Sequence, residues 1–131
     1  FGIHIHCPEA STPKDGPSAG VAITISILSL LTNIPVNNKI AVTGEIDLNG
    51  NVLQIGGLES KIDGAVNAGV KKVLCPSKNK EDLDKILKSE LLSKNNIEII
   101  LIDNIYQAID HMFIKNKKLG VKKYAYGLLE Y

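Results

Sequence analysis

The first part of the chain passes from an alternating pattern to a loop composition and then to a continuous apolar stretch. Residues 2–7 (GIHIHC) put His4 and His6 on one face and apolar side chains on the other, which predicts a half-buried strand. Residues 8–17 are rich in Pro, Gly, Ser and Thr, so they predict a loop. Over 18–31 the apolar positions lie almost all around a helical wheel, which predicts a helix buried on most sides.

The middle of the chain has the pattern of a strand, a hairpin and an amphipathic helix. Residues 40–43 (IAVT) form a short apolar run, and Asn49 and Gly50 between extended flanks predict a two-residue hairpin turn. Further on, apolar residues recur at the helical spacing i, i+4, i+7 and i+8: Leu58, Ile62, Ala65 and Val66. This helix is predicted to end near Gly69, because glycine is common just after a helix.

The last third of the chain continues the alternation of strand and helix. Residues 71–76 and 97–102 are apolar runs that predict strands, and the charged segment 79–88 between them predicts a short helix. A closing helix is predicted over 103–114, with Asp103 as its cap. Alternating strands and helices favour an α/β (α+β layered) domain over a sandwich or a helix bundle.

Length and composition predict one domain. A chain of 131 residues with 44% hydrophobic residues has enough apolar material for one packed core. We assign residues 1–114 to this domain. The tail over 115–131 contains five of the 15 lysines and has no clear period, so it stays unassigned. A charged, solvated terminus is the ordinary interpretation of such lysines.

Charge and hydropathy argue against several function classes. The formal net charge is +1, so no strong field attracts nucleic acid or an anionic membrane. All 15 basic residues are lysine, and without arginine a specific recognition of phosphates or bases is not expected. The most apolar run, 19–31, is shorter than the roughly 20 residues that cross a bilayer, so we expect no transmembrane segment.

The cysteines and the first residues bear on the compartment. Cys7 and Cys75, in a domain with a good apolar core, are typical of reduced thiols, so we expect an intracellular location. The chain begins at Phe1 without a charged and apolar leader. We therefore expect no signal peptide, and a longer parent protein.

A candidate nucleophile lies at the predicted start of the first helix, within DGPSAG (15–20). A serine hydroxyl is a weak nucleophile until a base takes its proton. Small neighbours leave Ser18 accessible, and the N–H groups and positive dipole end of a helix start suit a developing oxyanion. The ordinary alternative for a serine in this setting is a helix N-cap.

A base for this serine has to come from another element, and Lys61 is the candidate. It follows Leu58 by three residues, so its side chain leaves from the apolar face of the predicted helix. An ordinary lysine has a pKa of about 10.4, and desolvation can lower such a pKa by roughly 3–5 units. The hypothesis of a lysine base therefore requires burial. The alternative is a lysine whose stem covers apolar surface while its ammonium reaches water.

Three segments in unbroken order resemble the Lon protease family: PKDGPSAG (13–20), TGEIDLNGNVLQIGGL (43–58), and the segment 61–76 that ends in AGVKKVLCP. The resemblance covers about residues 2–113 and is closer to the bacterial and mitochondrial branch than to the membrane-anchored archaeal one. The chain departs from the family pattern at a few positions, listed here: Ala10, Gln54, Glu59 and Ser60. None of these departures removes the candidate nucleophile or base.

The resemblance implies a serine endopeptidase domain with a Ser-Lys dyad, in which Ser18 is the nucleophile and Lys61 the general base. It also implies supporting roles for four residues: Thr43, Asp15, Gly16 and Pro17. The threonine would orient the lysine amine, and backbone N–H groups over 15–18 would bind the oxyanion. The implied fold is the Lon proteolytic-domain fold, with mixed small sheets packed with helices.

The resemblance further implies the setting in which the domain works. Peptide hydrolysis would need no metal or organic cofactor in this chain, and ATP with Mg would belong to an upstream ATPase domain. The implied substrates are unfolded or damaged proteins, the assembly a ring, commonly a hexamer, and the location cytoplasm or mitochondrial matrix. The alternative hypothesis is a Lon-like domain that serves as a non-catalytic scaffold for oligomerisation. Retention of both Ser18 and Lys61 argues against that scaffold.

Two other kinds of chemistry are weaker alternatives. A metal site on the two histidines of the first strand, with Glu9 as third ligand, is unfavourable because zinc requires at least three well-placed ligands. A cysteine peptidase built on Cys7 or Cys75 with His111 is also unfavourable, because neither cysteine lies at a helix start beside a basic group.

Overall fold

The computed structural model describes residues 19–88, 96–113 and 117–129. The strand predicted over 2–7, the loop predicted over 8–17 and Ser18 lie outside the described residues. The helices are α1 Gly20–Thr32, α2 Leu58–Asn67, α3 Lys80–Leu87, α4 Ile105–Met112 and α5 Lys118–Leu129. The strands are β1 Ile40–Val42, β2 Glu45–Ile46, β3 Val52–Leu53, β4 Lys72–Pro76 and β5 Glu98–Ile102, and a 3₁₀ turn, Ser77–Asn79, precedes α3. No helix among these described residues combines the length and apolar content needed to cross a bilayer.

The strands form two small sheets. Strand β4 lies in the centre of a parallel sheet, with β1 on one side and β5 on the other. In this register Leu74 pairs with both Val42 and Ile100. Strands β2 and β3 form an antiparallel hairpin. Parallel neighbours need crossover connections, and α2 and α3 lie in the two crossovers. The predicted α/β layered class is confirmed.

The parallel sheet separates two apolar cores, because consecutive side chains of a strand point to opposite faces. In β4, Leu74 belongs to the first core and Cys75 to the second. The first core packs α1, α4 and α5 on one face of the sheet, and its members include Val21, Ile25, Leu28, Ile102, Ile105, Ile109 and Val121. The second core packs α2 and α3 on the other face, and its buried members are Ile55, Leu58, Ile62, Cys75, Leu83 and Ile86.

The predicted hairpin is present, but its predicted two-residue turn is wrong. The loop has three residues, 48–50, because the N–H of Asp47 donates to the carbonyl of Asn51 across it (3.0 Å). The Asp47 carboxylate holds this wider turn by accepting the N–H groups of Asn49 and Asn51, both at 2.9 Å. The hydrogen bond from the Asn51 backbone lowers the pKa of that carboxyl group. Gly50 closes the loop in the left-handed conformation (φ 85°).

The predicted cap of α4 is one residue too early. The side chain of Asn104, and not that of Asp103, accepts the N–H of Gln107 at the helix start (3.0 Å). The backbone of Asp103 is engaged elsewhere, because its carbonyl accepts the N–H of Val52 (2.8 Å). Residue 103 therefore belongs to an isolated antiparallel bridge to the hairpin, centred on Asn51 and Asn104, and the helix begins at Ile105.

The C-terminal segment, which the sequence pattern left unassigned, contains a packed helix. Helix α5 packs against α1 and α4, and its Val121 and Ala125 are 0% and 1% exposed in the first core. Lys122 forms an ion pair with Asp110 of α4, whereas Lys123 is exposed. The interpretation of this segment as a solvated terminus is therefore wrong. Val121 and Ala125 are four positions apart, so they lie on the same face of the helix, and this face packs in the core.

Truncating the buried side chain of α5 should destabilise the domain. We expect Val121→Ala to lower the free energy of unfolding by about 2 kcal/mol, because it removes buried methyl groups and leaves a cavity. The exposed change Lys123→Ala on the same helix should alter it by less than about 0.5 kcal/mol. Urea denaturation followed by circular dichroism measures both. Equal stability of the two variants would mean that α5 is not part of the folding unit.

The thiol of Cys75 should be inert in the folded domain. Burial raises its pKa to about 11 from the ordinary 9.0, so the thiolate that reacts with disulfide reagents is scarce at pH 8. In a Cys7→Ser background, labelling should be slow in the native protein from pH 7 to pH 9. In urea it should become fast and increase as the pH approaches 9.0, the ordinary pKa of the exposed thiol. Fast labelling of the native protein would contradict the burial of Cys75.

Candidate functional site

The start of α1 is docked closely on the β2–β3 hairpin. The N–H of Val21 donates to the carbonyl of Gly44 (3.0 Å), and Gly20 lies against β2. A Cβ atom on Gly20 would lie only 3.0 Å from the backbone nitrogen of Ile46. A side chain at this position would therefore crowd the backbone of β2, and glycine favours this close docking of the helix start.

The end of β1 contacts both the β2–β3 hairpin and the central strand β4. The N–H of Thr43 donates to the carbonyl of Leu74 (3.0 Å), which extends the parallel pairing by one residue. The next residue, Gly44, has a φ of +155°, and a Cβ there would lie 2.8 Å from a methyl group of Val52. Thr43 is thereby fixed as a buried polar residue, 8% exposed, beside the start of α1.

Lys61 lies in the first turn of α2. Its N–H donates to the carbonyl of Gly57 (3.2 Å), and the helix face next to it is buried through Leu58, Ile62 and Ala65. The Lys61 side chain itself is exposed. The burial that the sequence argument required of a lysine base is therefore not provided by the described residues.

A cavity of about 270 Å³ connects these three elements. It opens between α1, β1 and α2, with one contribution from β4. Its lining residues are Ala19, Ala22, Ala41, Val42, Thr43, Lys61, Ala65 and Val73. The structure thus brings together Thr43 and Lys61, two of the predicted site residues. The other predicted ones, Ser18, Asp15, Gly16 and Pro17, lie outside the described residues.

The lining has the composition of a binding site for an apolar group, with two polar side chains at its wall. Six of its eight residues are Ala or Val, and the remaining two supply a hydroxyl and an amine. Ligand sites are commonly apolar with few convergent polar groups. The small residues of α1 and β1 that shape this space were not singled out from the sequence, because an alanine in an apolar run carries no chemical signature.

The alternative chemistries find no support in the described residues. Cys75 is buried in the second core with a pKa raised by burial, which is the opposite of an activated thiol. Among the side chains that the structure describes, no group of three or more His, Cys, Asp or Glu residues could hold a metal ion. The ligands considered for such a site, His4, His6 and Glu9, lie outside them, as does Cys7.

Comparisons with known proteins place these features in a family. The family model for the Lon protease (S16) C-terminal proteolytic domain matches residues 1–115. The chain is 47% identical over 113 residues to the Lon protease of Brucella suis biovar 1 (strain 1330), which is 86% of this chain and 14% of that relative. It is 49% identical over 115 residues to the Lon protease of Rickettsia typhi (strain ATCC VR-144 / Wilmington), or 88% of this chain.

The match covers most of this chain but a small part of its relatives. The chain spans about 14% of the length of these curated Lon proteases. The matched family model includes the segment with Ser18 as well as Thr43 and Lys61. The chain belongs to the Lon protease family and represents its C-terminal proteolytic domain.

Proposed function

We propose that this chain is a serine endopeptidase domain in which Ser18 is the nucleophile and Lys61 the general base. The observation that carries the proposal is the cavity that Ala19, Thr43 and Lys61 line together. Ala19 is covalently bonded to Ser18, so the proposed nucleophile precedes a residue of the cavity wall directly. The family match supports the same assignment of chemistry.

The reaction would proceed in two stages. In the first, the neutral amine of Lys61 takes the hydroxyl proton while the Ser18 oxygen attacks a peptide carbonyl carbon. The carbon–nitrogen bond then breaks, the leaving amine receives the proton, and an acyl-enzyme ester remains. In the second stage Lys61 takes a proton from water, which attacks the ester, and the carboxylate product leaves with the serine regenerated.

The surroundings of the cavity suit both proton transfer and the oxyanion. Thr43, fixed at the end of β1, would orient the amine of Lys61 across the cavity. The N-terminus of α1 carries a positive partial charge close in sequence to the attacking residue. The backbone N–H groups of Asp15, Gly16 and Ser18 would complete the oxyanion site, since Pro17 between them has no N–H to donate. A bound peptide would cover the exposed amine of Lys61 and exclude water from it, which favours its neutral form.

The wider setting is proposed from the family. Substrates would be unfolded or damaged proteins, and the working form a ring of identical subunits, commonly six. Peptide hydrolysis itself would use no cofactor in this chain, while ATP and Mg would be bound by an ATPase domain elsewhere in the protein. The protein would work in the cytoplasm or the mitochondrial matrix. Membrane or nucleic-acid binding forms no part of this proposed function.

Removal of either member of the dyad should abolish peptide cleavage. We expect Ser18→Ala and Lys61→Ala to lower kcat by at least about 10³-fold, because the nucleophile and its base act as one unit. Cleavage of casein or a fluorogenic peptide by the full-length protein with ATP measures the effect. Lys71→Ala, which changes a lysine outside the cavity lining, is the matched control.

Both variants must keep the unfolding midpoint of the parent protein for the result to count. If either one cleaves at the parental rate, the dyad is wrong, and the non-catalytic scaffold becomes the better hypothesis.

Filling the cavity should block the substrate without unfolding the domain. Ala22 lines the cavity from α1 and is half-buried, so Ala22→Leu places three further carbon atoms in a space of about 270 Å³. We expect kcat/KM for peptide cleavage to fall about tenfold or more, on the scale of losing one well-fitted group in a pocket. Ser26→Leu, one turn further along the same helix and exposed, should leave kcat/KM within about twofold. Equal effects of the two changes would contradict substrate binding in this cavity.

A further inference from the structure

Among the residues that the structure describes, Asn79 is the most deeply buried polar one outside the candidate site, with 0% of its surface exposed. It ends the 3₁₀ turn that follows β4. A buried amide has to be hydrogen-bonded, because an unpaired polar group in an apolar core is costly. The partners of Asn79 therefore indicate what this side chain holds together.

The Asn79 amide clamps the backbone of a single residue on another segment. Its Oδ1 accepts the N–H of Ile55 (3.0 Å), and its Nδ2 donates to the carbonyl of the same Ile55 (2.8 Å). The Nδ2 atom also donates to the carboxylate of Asp82 (2.8 Å). An ionised carboxylate only accepts hydrogen bonds. Asp82 therefore turns the Asn79 amide so that Nδ2, and not Oδ1, faces the carboxylate. This orientation places Oδ1 opposite the Ile55 N–H and Nδ2 opposite the Ile55 carbonyl, so both hydrogen bonds to Ile55 can form.

The clamped residue lies three positions before α2, the helix that carries Lys61. Gly57, the N-cap of this helix, is in a left-handed conformation (φ 67°) and no side chain caps the helix start. Ile55 is buried in the second core together with Leu58 of the first helical turn. The position at which the chain enters α2 is therefore set by Ile55, and the backbone of Ile55 is set by Asn79.

The two polar residues of the cavity, Thr43 and Lys61, are thus both positioned from the same strand, β4. The carbonyl of Leu74 in β4 fixes Thr43 directly through its backbone N–H. Two residues after Leu74 the same strand ends at Pro76 and leads into Asn79, which fixes the approach to α2 and hence to Lys61. A shift of the Asn79 clamp would move the lysine relative to Thr43 without disturbing the threonine.

We propose that Asn79 is a positioning residue for the lysine of the dyad, acting through Ile55 and the first turn of α2. The proposal rests on the proposed function of Lys61. Its reaction chemistry is that of the dyad alone, since Asn79 is not among the described residues that line the cavity. Misplacement of a reacting group by about 1 Å can cost 10²-fold in rate, so a loosened clamp should be visible in kcat.

The first experiment compares Asn79→Ala with a change that destabilises the same core without touching the clamp. Leu83→Ala on α3 is that control, because Leu83 is buried in the second core. In the full-length protein with ATP, below the unfolding midpoint of every variant, Asn79→Ala should lower kcat about tenfold or more and leave KM within about twofold. Leu83→Ala should keep kcat within about twofold. A kcat that falls equally in both variants would overturn the proposal, since loss of core stability would then explain it.

A charge exchange tests the clamp when the alanine variant folds poorly. Asn79→Asp alone puts a second carboxylate against Asp82 and removes the donor to the Ile55 carbonyl, so kcat should fall. Adding Asp82→Asn to the same protein supplies an amide donor to the new carboxylate and removes the repulsion between the two carboxylates. The carboxylate at position 79 can then stay in place to accept the N–H of Ile55, so part of the lost kcat should be recovered. A double variant no better than Asn79→Asp would argue against the positioning role.

Hydrogen exchange separates this proposal from the proposed function. In the Ser18→Ala protein, Asn79→Ala should accelerate exchange of the Ile55 amide and of the first turn of α2 at least about tenfold, while β5 keeps its protection. Faster exchange with an unchanged kcat in the Ser18-containing protein would leave Asn79 a purely structural residue and overturn the proposal. If Lys61→Ala retains activity, the dyad fails instead, while the exchange result still reports on the clamp.

Discussion

The parallel pairing of β4 with its two neighbours is the interaction on which the rest of the described domain depends. Its side chains alternate between two cores, with Leu74 facing α1, α4 and α5 and Cys75 facing α2 and α3. Its backbone carbonyl at Leu74 also fixes Thr43 beyond the end of β1. One five-residue strand thus contributes to both apolar layers and to the frame of the cavity.

Close packing at two glycines helps to define the shape of the cavity between α1, β1 and α2. Gly20 and Gly44 allow the start of α1 to approach the hairpin closely, because a Cβ on Gly44 would overlap Val52 and one on Gly20 would crowd Ile46. The alanines of α1, β1 and α2 then leave a space that larger side chains would fill. The cavity is therefore a consequence of small residues at the junction of three elements, while Thr43 and Lys61 supply its polar groups.

Lys61 has an exposed side chain on a helix whose neighbouring face is buried. The helix beneath it is anchored by Leu58 and Ile62, which are 3% and 0% exposed, yet its own side chain reaches solvent. The buried Asn79 amide extends this anchoring to Ile55, in the segment before the helix.

The sequence by itself determined the elements and the family, and the tertiary structure decided how those elements meet. Periodicity located strands β1, β4 and β5 and helices α1 to α4, because apolar spacing reports which face of each element is buried. It failed at α5, where the buried face includes the small side chains of Val121 and Ala125 and five lysines dominate the composition of the segment. It also failed at the hairpin turn and at the cap of α4, where Asp47 and Asn104 hold the backbone through local hydrogen bonds that pattern alone does not rank. The motifs around Ser18 and Lys61 predicted a dyad from the sequence. The cavity that Thr43 and Lys61 line together joins residues 18 positions apart, and the Asn79 amide joins residues 24 positions apart through its bonds to Ile55. Contacts at such separations arise from packing and hydrogen bonding between elements, so only the folded chain reveals them.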